Sequence, residues 1–470
     1  MKHYDVVIIG AGTSGLTARR EIEKKTKNYV VVDDGPMGTT CARVGCMPSK
    51  VLIQVANDFN QTLKFSKIGI TGQDHLKVNS TDVMNHVRSL RDRFVRGVKS
   101  GEPEWADKLI RKRAKIISKN EVQIGDDLVK ADKIIISTGS SPILPDEWKK
   151  FQSHLINTDS FFELPDLPKS MVVIGLGVIG LEIGQALSRL GVKVIGVNIG
   201  QALGGVSDPE IQKYVNKKIG EEFQLHFNGL EILEITKDNK LKFKADDQIY
   251  EVDKALVSIG RSPNIKNIGL ENLKIPLDKK GLPQVDKNTM KLVEAKNIFL
   301  PGDANADRPI LHEAADEGLI AGFNAVNDEV CFKRRTFLGI AFMDPNIASV
   351  GKKYDELIAN NVEFVTGEVS FEGQGRSIVK LKEQGLLHVY VDKHTYKILG
   401  AELQAPDGEH LAHLLAWAIS LNLTVQEALR LPFYHPVVEE GLRTALRDAL
   451  KKVSPEVALE LFRCSDPPIR

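Results

Sequence analysis

The chain has 470 residues, with 63 Lys+Arg against 62 Asp+Glu and four cysteines. At about 100–200 residues per domain the length predicts two to four domains with ample core, and 42% apolar with 27% charged residues excludes disordered and fibrous classes. A net charge of +1 removes the electrostatic footprint of a nucleic-acid binder, and four cysteines are too few for a disulfide-stapled secreted scaffold yet enough for one chemical site.

The chain opens Met1-Lys2-His3-Tyr4-Asp5 and enters an apolar run, Val6 to Ile9, that ends in glycines. That run is too short for a signal-peptide core. No stretch approaches the roughly 20 apolar residues that span a bilayer; the best, Met171 to Gly184, is punctuated by glycines and holds Glu182. The expectation is a soluble cytoplasmic protein with neither a membrane nor a nucleic-acid partner. In that reducing compartment, paired cysteines point to catalysis or metal binding rather than stapling.

Asp5-Val-Val-Ile-Ile-Gly10-Ala-Gly12-Thr-Ser-Gly15 predicts a buried strand, a glycine turn and a helix, and Tyr29-Val-Val-Val32 a second strand ending at Asp33, eighteen residues after Gly15. From Met171 the pattern repeats as Val-Val-Ile-Gly175-Leu-Gly177-Val-Ile-Gly180, then Val192 to Val197, with Asn198 again eighteen residues after the third glycine. Two βαβ units predict two nucleotide-binding domains, because each can cradle one pyrophosphate at its helix N-terminus. The first glycine permits the tight turn, the second lets backbone approach the pyrophosphate, and the third lets helix and strand pack closely.

After the first unit comes Cys41-Ala-Arg-Val-Gly45-Cys46-Met-Pro48-Ser-Lys50. In a regular helix, residues five apart rise about 7.5 Å and lie about 140° apart, which puts their Cα atoms about 8.6 Å apart. A disulfide wants about 4.4–6.8 Å, so the pair needs a distorted turn, which Gly38 and Gly45 would ease. A metal site fails on inventory: the position for a third iron–sulfur cysteine is Pro48, and no second close-spaced cysteine pair exists for zinc. Cys331 and Cys464 are isolated and read as small apolar side chains. Spacing alone leaves a redox dithiol and two unrelated buried thiols both open.

A charged helix is expected around Val83 to Val98, and a strand leads into Ser137-Thr138-Gly139. Pro142, Pro145, Pro165 and Pro168 punctuate the passage to the second unit. Beyond it stand Gly260-Arg261-Ser-Pro-Asn264 and Pro301-Gly302-Asp303. From Thr336 a strand at Leu387 to Val391 gives way to amphipathic helices at His410 to Leu421, Val425 to Leu429 and Glu439 to Leu450, which predicts a separate α+β domain.

With these motifs and His435-Pro-Val-Val-Glu-Glu440 taken in order, the chain resembles the pyridine nucleotide–disulfide oxidoreductases, most closely their dihydrolipoamide dehydrogenase branch, over essentially its whole length. The resemblance implies an α/β fold of two Rossmann-like domains plus a C-terminal α+β dimerisation domain. FAD would occupy residues 1–148 and 265–335, the nicotinamide nucleotide 149–264, and the interface domain 336–470. On FAD it places Gly10, Gly12, Gly15, Thr138, Gly139 and Gly302, with Asp33 at the adenosine ribose and Asp303 at the ribityl chain. On NAD it places Gly175, Gly177, Gly180, Asn198, Gly260 and Arg261. It makes Cys41–Cys46 a redox disulfide, with Cys46 against the flavin and Cys41 exchanging with substrate. Lys50 pairs with Glu182 beside the flavin, and His435 with Glu440 serves as the base, supplied across a homodimer. No metal is implied.

The implied activity is dihydrolipoyl dehydrogenase, acting on a small dithiol or a lipoylated carrier domain. Three features depart from the family pattern. Asn198 stands where an NAD-preferring member has an acid, so it does not repel a 2′-phosphate; yet residues 198–208 hold no Arg, Lys or His to bind one. Arg43 and Met47 depart from the usual wording of the cysteine segment, and thirty residues follow Glu440, through Pro467-Pro468. A glutathione reductase-like or other small-disulfide reductase is the alternative enzyme, and a flavin-binding redox sensor or assembly subunit the non-enzymatic one. Mercuric reductases and large thioredoxin reductases are disfavoured by the missing C-terminal cysteine pair.

Overall fold

The computed structural model describes residues 1–454 and 460–464; the end of the expected interface domain, with Pro467 and Pro468, lies outside the described residues. The opening β-branched runs form strands β1 (Lys2–Ile9) and β2 (Tyr29–Val32), paired in parallel and joined by helix α1 (Thr13–Glu23). Stiff branched side chains suit a pleated surface, and runs that are apolar without alternation suit strands covered on both faces. All four β2 residues are buried accordingly.

The cysteine segment does not make one helix. It forms α2 (Thr40–Val44) and α3 (Cys46–Thr62), parted at Gly45, whose φ −124° and ψ −117° are not helical. Helix α4 (Ser80–Lys99) follows as expected, and β3 (Asp127–Ile136) then lies parallel to β1.

The second unit repeats the first. Strands β4 (Ser170–Ile174) and β5 (Lys193–Val197) pair in parallel around helix α5 (Val178–Arg189). Helix α6 (Pro209–Gly220) comes next, and β6 (Lys254–Val257) closes on the other side of β4. The chain then returns to the first sheet, where β7 (Ala295–Phe299) lies parallel to β3. Helix α7 (Leu311–Val326) packs against α1 at close range: a methyl on Gly318 would lie 2.3 Å from Ser14 O, and one on Gly322 would lie 2.6 Å from Ala18 O.

The C-terminal part is an antiparallel sheet in the order β8 (Leu338–Ala341), β9 (Asn346–Gly351), β12 (Ile398–Ala405), β11 (Leu386–Asp392), β10 (Phe364–Ser370). Helices α8 (Gly408–Ser420) and α9 (Glu440–Val453) cover one face, where Leu387, Val389 and Val391 join their core. Successive strand residues point to opposite faces, so His388 and Tyr390 face the other way, toward the start of α6, where both bond Asp208. No described helix is long and apolar enough to cross a membrane.

Because α1 and α7 touch through glycine, Gly322→Ala overpacks the contact, and a loss of about 1–3 kcal/mol in urea unfolding of the holoenzyme is expected. An unchanged midpoint would show that the two helices separate freely.

Candidate active site

The two glycine turns divide their labour alike. Gly10 and Gly175 have φ +105° and +89°, and an added Cβ would strike the neighbouring strand at Ser137 O (2.3 Å) or Ser258 O (2.6 Å). Gly15 and Gly180 lie so close to the turn that a Cβ would sit 2.0 Å from the carbonyl of Gly10 or Gly175. The middle glycines differ: a Cβ on Gly12 would meet nothing nearer than 4.0 Å, and one on Gly177 nothing within 4 Å. Each cradle is thus filled by protein at its first and third glycines and open at its second, the side from which a pyrophosphate approaches helix N-terminal N–H groups.

The ends of β2 and β5 match as well. Asp33 Oδ2 accepts from Ala11 N (2.5 Å), and Asn198 Oδ1 accepts from Leu176 N (3.0 Å), each N–H belonging to the residue between the first two glycines. Asp33 Oδ1 also accepts from Gly35 N (2.7 Å). The Asn198 amide donates back into its own loop, to Gly200 O at 3.0 Å.

Around Thr138 and Gly139, the chain leaves polar atoms without partners. Ser137 Oγ and Thr138 Oγ1 are buried and unbonded, while Asn264 secures the backbone there through Nδ2 to Thr138 O (3.0 Å). Nothing stands within 4 Å of a Cβ built on Gly139. Asp303 accepts from Ser140 Oγ (2.7 Å). Arg261 Nε donates to Ser140 Oγ (2.8 Å) and its Nη2 to Ser140 O (2.6 Å), the same serine that bonds Asp303. Gly260 (φ +113°) leads into this turn, following Ser258, whose hydroxyl donates to Gly175 O at 2.7 Å.

Sequence reading missed the support beneath Gly302. Its N–H donates to Glu317 Oε2 (2.6 Å), and the fully buried Glu317 pairs with Arg334, as does Glu313 four residues earlier. Burial pushes the Glu317 carboxyl up, against the pull of Arg334. Two buried glutamates four apart on the inner face of this helix were the available signal.

The break at Gly45 brings the cysteines together. All four cysteines are free thiols, and Cys41 is hydrogen-bonded to Cys46. That bond, opposed by burial and aided by the Lys50 charge, lowers Cys46 to about 7, while the same bond and burial push Cys41 up. Cys46 is also the first residue of a 17-residue helix, where the dipole favours a thiolate. One turn on, Lys50 Nζ meets both oxygens of Glu182 at 2.9 and 2.7 Å and lies 4.7 Å from the centre of the Phe342 ring. Glu182 is 4% exposed and also accepts from Phe342 N (2.8 Å), so this pair joins α3, α5 and the C-terminal part.

His435 Nδ1 lies 3.0 Å from Glu440 Oε1, and this hydrogen bond holds the Glu440 carboxyl below its usual range. The imidazole is 81% exposed, and among the described residues no hydrogen bond or ion pair joins the dyad to the dithiol of its own chain.

Residues 4–318 match the model of the pyridine nucleotide-disulphide oxidoreductases and residues 338–446 that of the family's dimerisation domain; the chain belongs to this family of FAD- and pyridine nucleotide-dependent oxidoreductases. It is 28% identical to dihydrolipoyl dehydrogenase 1, mitochondrial, of Arabidopsis thaliana (94% of this chain, 89% of the relative) and 24% identical to a mercuric reductase of Staphylococcus aureus (96% and 83%). Among solved structures, it superposes on LpdA of Mycobacterium tuberculosis with a TM-score of 0.81 at 21% identity (95% and 99% covered). The HOCl-induced flavoprotein disulfide reductase RclA of Escherichia coli gives 0.78 at 20% (96% and 100%). The open middle glycines and the orphaned hydroxyls of Ser137 and Thr138 fit a dinucleotide in each cradle.

Iodoacetamide labelling of the reduced holoenzyme, read peptide by peptide, is expected to modify Cys46 faster than Cys41, with a rate that rises with pH through about 7 as the thiolate forms. Cys41→Ala removes the hydrogen bond and Lys50→Met the nearby charge, so each moves that midpoint upward. Equal rates at the two cysteines would contradict the asymmetry.

Proposed function

We propose that this protein is a dithiol–disulfide oxidoreductase of dihydrolipoyl dehydrogenase type, oxidising a dihydrolipoyl group with NAD. What carries the reading is the Cys41–Cys46 pair at the head of α3, its low-pKa member backed by the Lys50–Glu182 pair, in a chain with two dinucleotide cradles. FAD, which the first glycine turn and Asp33 would hold, would supply the two-electron link between the reduced dithiol and the pyridine nucleotide.

The chain's own residues set the direction of exchange. A substrate thiolate attacks Cys41 Sγ of the bridged pair, the Cys41–Cys46 bond breaks, and Cys46 leaves as thiolate. The lower-pKa sulfur is the better leaving group, and the helix terminus and Lys50 stabilise charge on Cys46 while Cys41 is bonded to the substrate sulfur. His435 accepts the proton of the substrate thiol. Glu440 takes the Nδ1–H hydrogen bond and so leaves Nε2 as the base. An imidazole this exposed on its own chain suits a site shared across a homodimer, and the dimerisation domain supports that arrangement.

NAD is favoured over NADP because the loop after Asn198 offers no free cation. Lys353 reaches this loop from the C-terminal part, but its Nζ donates to Gly205 O at 2.6 Å. Ile199, 88% exposed, occupies the position next to Asn198.

A substrate panel run with both nucleotides tests the proposal. Dihydrolipoamide with NAD should give the highest kcat/KM, and His435→Gln should lower it by about 10²–10⁴-fold. Faster reduction of glutathione disulfide by NADPH would move the protein to the small-disulfide reductases. Turnover no greater than free flavin would favour a redox sensor or assembly subunit.

A further inference from the structure

A second cluster of chemistry-bearing side chains lies away from the dithiol, where α6 of the second unit meets the C-terminal sheet. Asp208 caps α6, its Oδ1 accepting from Glu210 N (2.9 Å) and Ile211 N (3.2 Å). Its Oδ2 accepts from Tyr390 OH (3.1 Å) and lies 2.8 Å from His388 Nδ1. That contact to a carboxylate holds a proton on Nδ1, so Nε2 is the nitrogen that can take a ligand.

His388 is 3% exposed, and its Nε2 is buried without a hydrogen-bond partner. The atom aims at two carboxylates, Glu210 Oε2 at 3.6 Å and Glu368 Oε2 at 3.8 Å. Both distances exceed a hydrogen bond of about 2.7–3.2 Å, yet the three ligand atoms lie within 4.8 Å of one another. Glu368 is the cross-strand neighbour of His388 on β10, and Glu402 its neighbour on β12. Glu402 accepts from Ser207 N (2.8 Å), Asp208 N (2.7 Å) and Tyr390 OH (3.1 Å). Asp208, Glu210, Glu368 and Glu402 thus crowd one imidazole, and no ion pair with lysine or arginine is found for any of them among the described residues.

We propose that His388 Nε2, Glu210 and Glu368 bind a divalent cation of the zinc class, with Asp208 holding the imidazole from behind. Zinc takes imidazole nitrogen at about 2.0–2.1 Å and carboxylate oxygen at about 2.0–2.2 Å. Tetrahedral donors at those lengths lie about 3.3 Å apart, so the histidine–carboxylate separations of 3.6 and 3.8 Å need to close by only a few tenths of an ångström, and the two carboxylates, within 4.8 Å of each other, draw together from solvent. Glu210 and Glu368 are 73% and 56% exposed at the side chain and free to make that movement. A carboxylate behind a metal-bound histidine is the usual outer arrangement, setting tautomer and ring direction. Water from the open side completes four-coordination. The mixed nitrogen–oxygen set selects zinc or a neighbouring transition ion over calcium or magnesium, which take oxygen alone. Glu210 belongs to α6 and the other two ligands to β10 and β11, so the ion ties the second nucleotide unit to the C-terminal sheet.

The test uses FAD-loaded, air-oxidised full chain with Cys331→Ser and Cys464→Ser, so that neither the bridged dithiol nor an exposed thiol takes up metal. After chelator treatment and dialysis, Zn²⁺ is titrated by calorimetry and by thermal unfolding. The expected result is one equivalent per chain with a raised Tm. In Glu210→Gln and Glu368→Gln the affinity should fall at least tenfold and the Tm gain should vanish, with turnover unchanged. Both substitutions are at exposed side chains and retain the fold. No uptake in the parent chain would overturn the proposal. Uptake unaffected by either glutamine would overturn it equally.

Discussion

A continuous helix through residues 40–62 would hold Cys41 and Cys46 about 8.6 Å apart at Cα and on different faces, and no thiol chemistry could pass between them. The interruption at Gly45 removes that constraint. A side chain at this position would crowd Thr40 O and Cys41 Cα, both 3.2 Å from an added Cβ, so the close return of backbone onto α2 favours glycine. The same interruption starts a new helix at Cys46. One backbone feature therefore both brings the sulfurs together and gives them unequal environments: Cys46 gains a helix N-terminus, whereas Cys41 sits within the short preceding helix.

That inequality is reinforced from the second unit. Lys50 extends from α3, but what holds it is Glu182 on α5, a carboxylate 4% exposed and fixed again by Phe342 N from the C-terminal part. Removing one partner of a buried pair leaves an uncompensated charge, typically at a cost of about 3–5 kcal/mol, so the pair resists rearrangement even though its net contribution to stability is small. A cation held one turn past Cys46 by residues from all three parts of the chain adds the assembly of those parts to the hydrogen bond from Cys41 that chiefly lowers the thiol's pKa.

The legible parts of this protein were those in which chemistry follows the order of the chain. The glycine turns, the eighteen-residue spacing to Asp33 and Asn198 and the helices at Ser80–Lys99, Val425–Leu429 and Glu440–Val453 all rest on local periodicity or local steric demand, and the structure has them at or near the expected positions. The cysteine spacing showed that a distorted turn was needed and named Gly38 and Gly45 as the glycines that would ease it, and the break falls at Gly45. Partnerships across long separations left no local trace. Glu317 beneath Gly302, Arg334 between two glutamates and the meeting of Asp208 with His388 each join segments whose proximity is set by sheet order and domain packing. The bond of Arg261 to Ser140 is of the same kind, set by the antiparallel pairing of Arg261–Pro263 with Ser140–Pro142.

Asp33 and Asn198 show what duplication conserves and what it releases. Each accepts from the N–H between the first two glycines, a bond that locks the second strand's end to the turn and needs only a side-chain oxygen at that distance. Asp and Asn supply it equally, so turn geometry does not distinguish them. They differ in what remains. Asp33 keeps a second acceptor oxygen and a negative charge, while Asn198 carries an amide that donates to its own loop and has neither. The structural demand on the position is thus met in both units, and the charge is left to answer to the ligand alone. In the second unit, no free cation of the loop takes its place. The end of this strand thus carries neither an acid that would repel a 2′-phosphate nor a free cation that would attract one, and the exposed apolar Ile199 stands beside it instead.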